Sequence, residues 1–314
     1  MKKNRILITG GTGFIGYHLA LRCLKKNFLV TSLSTNNPKK FRKLKKVKYL
    51  ICDISNRKKM NKILTNNFDY VVNLAGYVDH SNKSKTKKSH YNGCKNLALF
   101  FLNSKIKRFI QIGSSIEYGK INSPQKENNL NKQKTYSIYG TSKLLSTKFL
   151  LNLKKKFNFP VSVLRLYLVY GPNQDINRVI PFTIKNAIED NTFDCSTGLQ
   201  SRDFIYIDDL TNAIIKTLIN RNTNGEILNI GSGKPIKIKN LILKICKLVG
   251  YGNPQFGKIK FRKDEIKKLY PNISKAKLLL NWQPKISLSK GLINTINYYK
   301  STIKFSFYKA RNEK

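Results

Sequence analysis

Arg5-Ile6-Leu7-Ile8-Thr9-Gly10-Gly11-Thr12-Gly13-Phe14-Ile15-Gly16 is followed directly by Tyr17-His18-Leu19-Ala20-Leu21-Arg22-Cys23-Leu24-Lys25-Lys26. Its first five residues form a short apolar, β-branched run that predicts a buried strand, and the ten after Gly16 carry helical periodicity. Between them stand Gly10, Gly11, Gly13 and Gly16, four of the chain's 18 glycines. Strand, glycine turn and helix in this order is the context a dinucleotide cradle needs. Glycine makes the turn and lets backbone N–H groups approach a pyrophosphate, while the helix N-terminus supplies positive potential. Gly10, Gly13, Phe14, Ile15 and Gly16 are therefore candidate cofactor contacts.

Working outward, a second strand is predicted over Phe28 to Leu33, ending at Ser34-Thr35-Asn36-Asn37 with Lys39 and Lys40 just beyond. NAD-binding units place an acid at this point to hold the adenosine ribose. Here a small hydroxyl and two cations stand instead, so NADP(H) is favoured over NAD(H), with Ser34 as the contact. Asp53-Ile54 follows an apolar strand (Tyr49 to Cys52), and Val71-Val72-Asn73-Leu74-Ala75-Gly76 is another buried strand ending in small residues. Asp53, Ile54, Leu74 and Ala75 complete the expected cofactor wall. The fold class is α/β, a Rossmann-type doubly wound parallel sheet.

Further motifs follow in order: Gly113-Ser114-Ser115-Ile116-Glu117-Tyr118-Gly119 after a strand, Tyr136-Ser137-Ile138-Tyr139-Gly140-Thr141-Ser142-Lys143 opening a helix, Arg165 to Pro172, Arg202 to Asp209, Leu228 to Gly233, and Trp282-Gln283-Pro284. With the fingerprint from Thr9 to Gly16, the chain over roughly 5–295 resembles the extended short-chain dehydrogenase/reductase family of nucleotide-sugar epimerases, dehydratases and reductases. The resemblance implies a smaller C-terminal α+β substrate lobe beside the Rossmann-type sheet, with 1–171 as the nucleotide domain, 172–314 as the lobe and 203–233 returning to the first domain. It implies a nucleotide-diphosphate sugar substrate. It also implies a homodimer formed through the helices that follow Gly93 and Tyr139.

A Tyr-x-x-x-Lys spacing decides little in a chain with 16 tyrosines and abundant lysine. It occurs twice, at Tyr91 with Lys95 and at Tyr139 with Lys143. Position selects the second, which lies in a helix downstream of Ser114 and has Gly140 and Ser142 inside the motif. Residues at i and i+4 share a helical face, so a Lys143 ammonium beside the Tyr139 phenol would favour phenolate and ready it for proton exchange with a sugar hydroxyl or carbonyl. Ser114 matches the family's catalytic Ser/Thr, and Lys143 is also a candidate cofactor contact.

Dehydrating relatives carry carboxylates in the two positions after that Ser/Thr; here stand Ser115 and Ile116, and Glu117 falls one place late. Dehydration is therefore not expected. Ser115, Asn177, Arg178 and Arg202 are candidate substrate contacts, Arg202 matching the family's diphosphate-gripping arginine, whose fork suits phosphate oxygens. Leu168 replaces the Asn that many epimerases carry in this strand, and His90 replaces an Asn ahead of Gly93. His90 reads as a partly exposed structural residue. The leading expectation is a reductase that delivers hydride from NADPH to the C4 carbonyl of a 4-keto-6-deoxy nucleotide sugar. The alternative is an NAD-dependent UDP-sugar 4-epimerase, and the remote one an inactive Rossmann protein that binds RNA.

The 314 residues suffice for a large core, and 40% hydrophobic content excludes a disordered chain. Five dispersed cysteines and three histidines form no metal pattern, so no metal is expected and reduced thiols suit the cytoplasm. Sixty Lys+Arg against 16 Asp+Glu give a formal charge of +44. Scattered over the whole chain without an RNA-binding motif, this charge points to no nucleic-acid partner. It allows weak association with an anionic membrane surface, for which the tail with Phe305, Phe307 and Tyr308 is a candidate, although a frayed terminus is the expectation there.

Overall fold

The computed structural model describes residues 3–77, 79, 82–128, 135–260 and 266–312, with side chains to 302. The chain runs β1 (Arg5–Thr9), α1 (Phe14–Lys25), β2 (Leu29–Ser34), β3 (Val47–Ile51), α2 (Arg57–Ile63), β4 (Tyr70–Asn73), α3 (Lys83–Lys87), α4 (Gly93–Phe100), β5 (Arg108–Ser114), α5 (Ile138–Phe157) and β6 (Val161–Leu166). It continues through β7 (Leu168–Tyr170), α6 (Val179–Ile188), β8 (Thr192–Cys195), β9 (Ser201–Tyr206), α7 (Ile207–Ile219) and β10 (Ile227–Ile230). It ends with β11 (Pro235–Lys237), α8 (Ile238–Val249), β12 (Asn253–Phe256), β13 (Lys268–Leu269), α9 (Ser274–Leu280) and α10 (Leu288–Asn312).

Seven strands form one parallel sheet in the order β10-β6-β5-β4-β1-β2-β3. Both faces are covered, which explains why its strands read as unbroken apolar runs. In β1, Ile6 and Ile8 enter the core shared with α1 and α7, while Leu7 enters the opposite one with Leu97 of α4 and Leu150 of α5; all are fully buried. Each such side chain contributes about 1.5–3 kcal/mol relative to exposure. The expected strand from Phe28 to Leu33 is shifted by one residue, to Leu29–Ser34.

A smaller mixed sheet is built around β9, which pairs with β11, β13 and β7, and β8 pairs with β12. The chain enters this lobe at Leu168, ahead of the expected 171/172 division. Of the segment 203–233, β10 lies in the large sheet and α7 packs against α1 and β5, whereas the last residues of β9 belong to the small sheet. The tail expected to fray continues as helix through Asn312. The side chains of Phe305, Phe307 and Tyr308 lie outside the described residues. No helix among the described residues is long and apolar enough to cross a membrane.

Candidate active site

Strands β2 and β3 extend the sheet to one side of β1, and β4, β5 and β6 to the other, so the chain's winding reverses between β1 and β4. Ligands of open α/β sheets bind at such a reversal, beyond the strand C-termini. A cleft of about 770 Å³ opens there, lined by the glycine loop, the ends of β2, β4 and β5, and Tyr139 and Lys143. A second hollow of about 630 Å³ sits at the opposite ends of β1, β4 and β5, where this rule places no ligand.

The loop has the shape of a dinucleotide cradle. Gly10 has φ +68°, and a Cβ there would lie 2.9 Å from the Leu74 carbonyl atoms; at Gly16 it would lie 2.5 Å from Gly10 O and Gly11 Cα. Glycine keeps the loop, the end of β4 and the start of α1 in contact, and it leaves the α1 N-terminus open toward the cleft. Gly16→Ala is expected to cost about 1–3 kcal/mol of stability by overpacking and to weaken NADH binding. Thermal denaturation and nicotinamide fluorescence measure both, and unchanged values would remove the cradle assignment.

Ser34, Asp53, Ile54, Leu74 and Ala75 all line the cleft. Leu74 and Ala75 are held by a buried relay in which Thr9 Oγ1 donates to Asn73 Oδ1 (2.5 Å), Asn73 Nδ2 to Gln111 Oε1 (2.7 Å) and Ala75 N to Asn73 Oδ1 (3.2 Å). The Ser34 hydroxyl is itself part of the loop, since it accepts from Thr12 N at 3.2 Å. Lys39 does not stand free: its Nζ lies 3.2 Å from Asp175 Oδ1, and the buried Arg42 holds the same oxygen through Nη2 at 3.1 Å.

At the other end, Ser137 caps α5 by accepting from Gly140 N at 3.1 Å, which starts the helix just before Tyr139. Ser114, at the end of β5, is a hydrogen-bond partner of the Tyr139 phenol. Burial raises the Tyr139 pKa; Ser114 and Arg178 lower it, the Glu117 charge raises it, and the net shift is upward. The expected depression by Lys143 is not among the causes of this shift. Lys143 Nζ sits 6.0 Å from the Tyr139 ring centroid and donates to the Ile112 carbonyl at 2.7 Å. Burial also lowers the Lys143 pKa. The sequence spacing brings the two side chains together, but the strand end claims the ammonium.

Glu117 turns away from the cleft. Residues Ser115–Tyr118 form a 3₁₀ turn that carries its carboxylate into the core, where it meets Arg165 Nη2 at 2.9 Å and Nε at 3.0 Å, both residues being fully buried. Thr147 Oγ1 and the Ser114 backbone N–H also donate to it, at 2.7 and 2.8 Å. The described carboxylates lining the cleft are Asp53 and Asp175.

Ser115, Leu168 and Arg178 line the cleft, whereas Asn177 and Arg202 do not. Arg202 Nη1 donates to the carbonyls of Ser201 and Ile266 at 2.8 and 2.7 Å, and burial lowers its pKa to about 10. His90 is 6% exposed rather than partly exposed, and its ring meets the Tyr139 ring edge-on at 4.9 Å. The competing Tyr91 and Lys95 do not line the cleft. Sequence reading passed over Asp175, Lys85 and Lys88. The scarcity of acids in this chain was the available signal for the first; the two lysines sit in a basic run with no distinguishing pattern.

Glycine cradle, Ser–Tyr–Lys group and strand order together define a nicotinamide-dependent short-chain dehydrogenase/reductase of the extended type. Residues 6–231 match the NAD dependent epimerase/dehydratase family, and the chain belongs to it. It is 29% identical to a UDP-glucuronate 4-epimerase of Thermodesulfobacterium geofontis over 95% of this chain and 96% of that one. Among solved structures it resembles a UDP-glucose 4-epimerase of Thermotoga maritima with UDP-glucose (TM-score 0.89, 25% identity, 95% and 99% of the two chains covered). It also resembles a UDP-glucuronic acid 4-epimerase of Bacillus cereus with UDP-glucuronic acid and NAD (TM-score 0.84, 28% identity, 95% and 99% covered).

Proposed function

We propose that this chain interconverts nucleotide-diphosphate sugars that differ in configuration at C4, with NAD kept bound through the cycle. The observation that carries this reading is the pairing of Tyr139 with Ser114 in a cleft from which Glu117 is withdrawn. Proton exchange at one carbinol carbon is provided for, and among the described residues the carboxylates lining the cleft are Asp53 and Asp175, neither of which follows Ser114 as a second acid for eliminating water would. The nicotinamide supplies a hydride acceptor at C4 that can return the hydride to the other face. Tyr139 would take the C4 hydroxyl proton as phenolate, the form that the positive charge of an oxidised nicotinamide in the cleft would favour, and would later give it back. Ser114 orients the same oxygen, and Lys143 fixes the wall of the cleft through the Ile112 carbonyl. Arg178 faces the substrate phosphates and adds positive charge near the phenol; it takes over the role expected of Arg202, whose Nη1 is engaged with backbone carbonyls.

The expectation of NADP(H) rested on Ser34 and the nearby cations. The Ser34 hydroxyl is held by the glycine loop and Lys39 by Asp175, which supports NAD instead. A reductase acting on a 4-keto-6-deoxy nucleotide sugar is the second reading. It is favoured by Leu168, an apolar, 41% exposed side chain in the cleft where epimerases of this type carry Asn. With either reading go a homodimer through α4 and α5, a cytoplasmic setting and a weak, salt-sensitive attraction to anionic lipid.

The purified protein is expected to release NAD on denaturation and to equilibrate a UDP-hexose or UDP-hexuronate with its C4 epimer without added reductant. Consumption of NADPH on a 4-keto-6-deoxy sugar, with no epimerisation, would overturn the reading in favour of the second.

A further inference from the structure

Only 16 of 314 residues are acidic, so each carboxylate that borders the cleft is informative. Asp175 lies in the loop after β7, far in sequence from β2, yet Lys39 and Arg42 bind it there. The loop is fixed from several sides. Arg42 Nη2 also donates to the Asn173 carbonyl, Tyr298 OH to Asn173 Oδ1, Tyr299 OH to the Gln174 carbonyl, and Gln174 Nε2 to the Val169 carbonyl at 2.8 Å. The Arg42 side chain is 3% exposed and the Asp175 side chain 47%, so the cation is buried behind and the carboxylate presented in front. Both cation contacts fall on Oδ1, and among the described residues Oδ2 has no hydrogen-bond partner. Although its partial burial works in the opposite direction, Arg42 and Lys39 hold the Asp175 pKa below the ordinary carboxylate range.

We propose that Asp175 is the cofactor-discriminating carboxylate of this chain: it accepts from the adenosine ribose hydroxyls and repels a 2′-phosphate. It thereby supplies from the second lobe the acid that the end of β2 lacks. Ser34, Thr35 and Asp175 all line the cleft, and the Lys39–Asp175 contact ties the loop after β7 to the segment that follows β2, so a ribose beyond the end of β2 would have Ser34 and Asp175 as neighbours. A carboxylate accepting a ribose hydroxyl gains a charge-assisted hydrogen bond, and the same carboxylate against a phosphate meets like charge. Asp175 also occupies Lys39 and Arg42, two of the cations near the end of β2.

The proposal deepens the NAD reading above, and its test does not depend on which sugar is turned over. Dissociation constants of NADH and NADPH are measured by nicotinamide fluorescence for the full chain, for Asp175→Asn, and for Asp175→Asn combined with Ser34→Asp. The wild type is expected to bind NADH at least about tenfold more tightly than NADPH, and Asp175→Asn to reduce that ratio by about tenfold or more. Restoring an acid at the end of β2 in the double variant should return the preference to NADH. Equal binding or an NADPH preference in the wild type overturns the proposal by itself, whether or not the variants fold. A ratio in Asp175→Asn within about twofold of wild type also overturns it, being well below the worth of one charged hydrogen bond. Absence of epimerase activity in the wild type with an intact NADH preference would instead count against the reaction proposed above.

Discussion

Tyr139→Phe is expected to lower turnover by about 10²–10⁴-fold, the usual contribution of a positioned proton-transfer group, while leaving NADH binding near its wild-type value. In the proposed reaction only the phenol oxygen exchanges a proton, and the ring makes the packing contacts. Phe keeps the edge-on contact with His90 at 4.9 Å between centroids and the position of α5, so a general collapse of the site is not anticipated. Steady-state turnover and nicotinamide fluorescence on the same preparation separate the two. Near-normal turnover would remove Tyr139 from the chemistry, and joint loss of turnover and cofactor binding would mark it as a structural residue. Because the Tyr139 pKa is raised by burial and not lowered by Lys143, the phenol of the cofactor-free chain is protonated at neutral pH. Titration of the free protein by tyrosinate absorbance should therefore show no Tyr139 ionisation below the ordinary tyrosine range.

Glu117→Gln is expected to be the most destabilising of the conservative changes. It leaves the fully buried Arg165 without its counter-charge, and breaking a buried pair from one side typically costs about 3–5 kcal/mol. In a chain of this size that corresponds to a fall of about 5–8 °C in melting temperature. The amide keeps an oxygen for the Ser114 backbone N–H, so the variant that remains folded at low temperature should retain NADH binding. Glu117→Leu with Arg165→Met, which removes both charges, should recover part of the loss. A melting temperature in Glu117→Gln within a degree or two of wild type would contradict the buried-pair account.

These effects divide along the line between what was legible in the chain and what was not. The order of strands, the glycine turn and the helix that opens at Tyr139 all follow from patterns a few residues long, because period, turn chemistry and capping are local properties. Ser114 and Tyr139 are legible as cleft residues for the same reason: each sits at a strand end or helix start that its neighbours determine. Partners that meet across the fold have no such signal. Glu117 reads as a misplaced catalytic acid until Arg165, 48 positions away, shows what it neutralises. Ser34 and Lys39 read as groups inviting a 2′-phosphate until Thr12 and Asp175 are seen to hold them. Lys143 reads as the tyrosine's partner because their helical spacing is visible, whereas the Ile112 carbonyl that engages its Nζ lies on another element. In each case the residue type was recognised and the direction in which it spends its charge was not.

The passage of β10 back into the large sheet, after the chain has already built most of the second lobe, has a consequence for how the molecule can be divided. A fragment ending at Gly171 would contain the whole glycine cradle together with Ser114, Tyr139 and Lys143. It would nevertheless end its sheet on β6, whose six residues are all buried in the intact chain and pair there with β10. Such a fragment would present an open, apolar sheet edge of the kind that invites pairing with other chains. The half that carries the nucleotide cradle is in this sense not a module. It borrows its last strand from the far side of the second lobe, so the cradle and the residues around Tyr139 are inherited with that lobe as one folding unit.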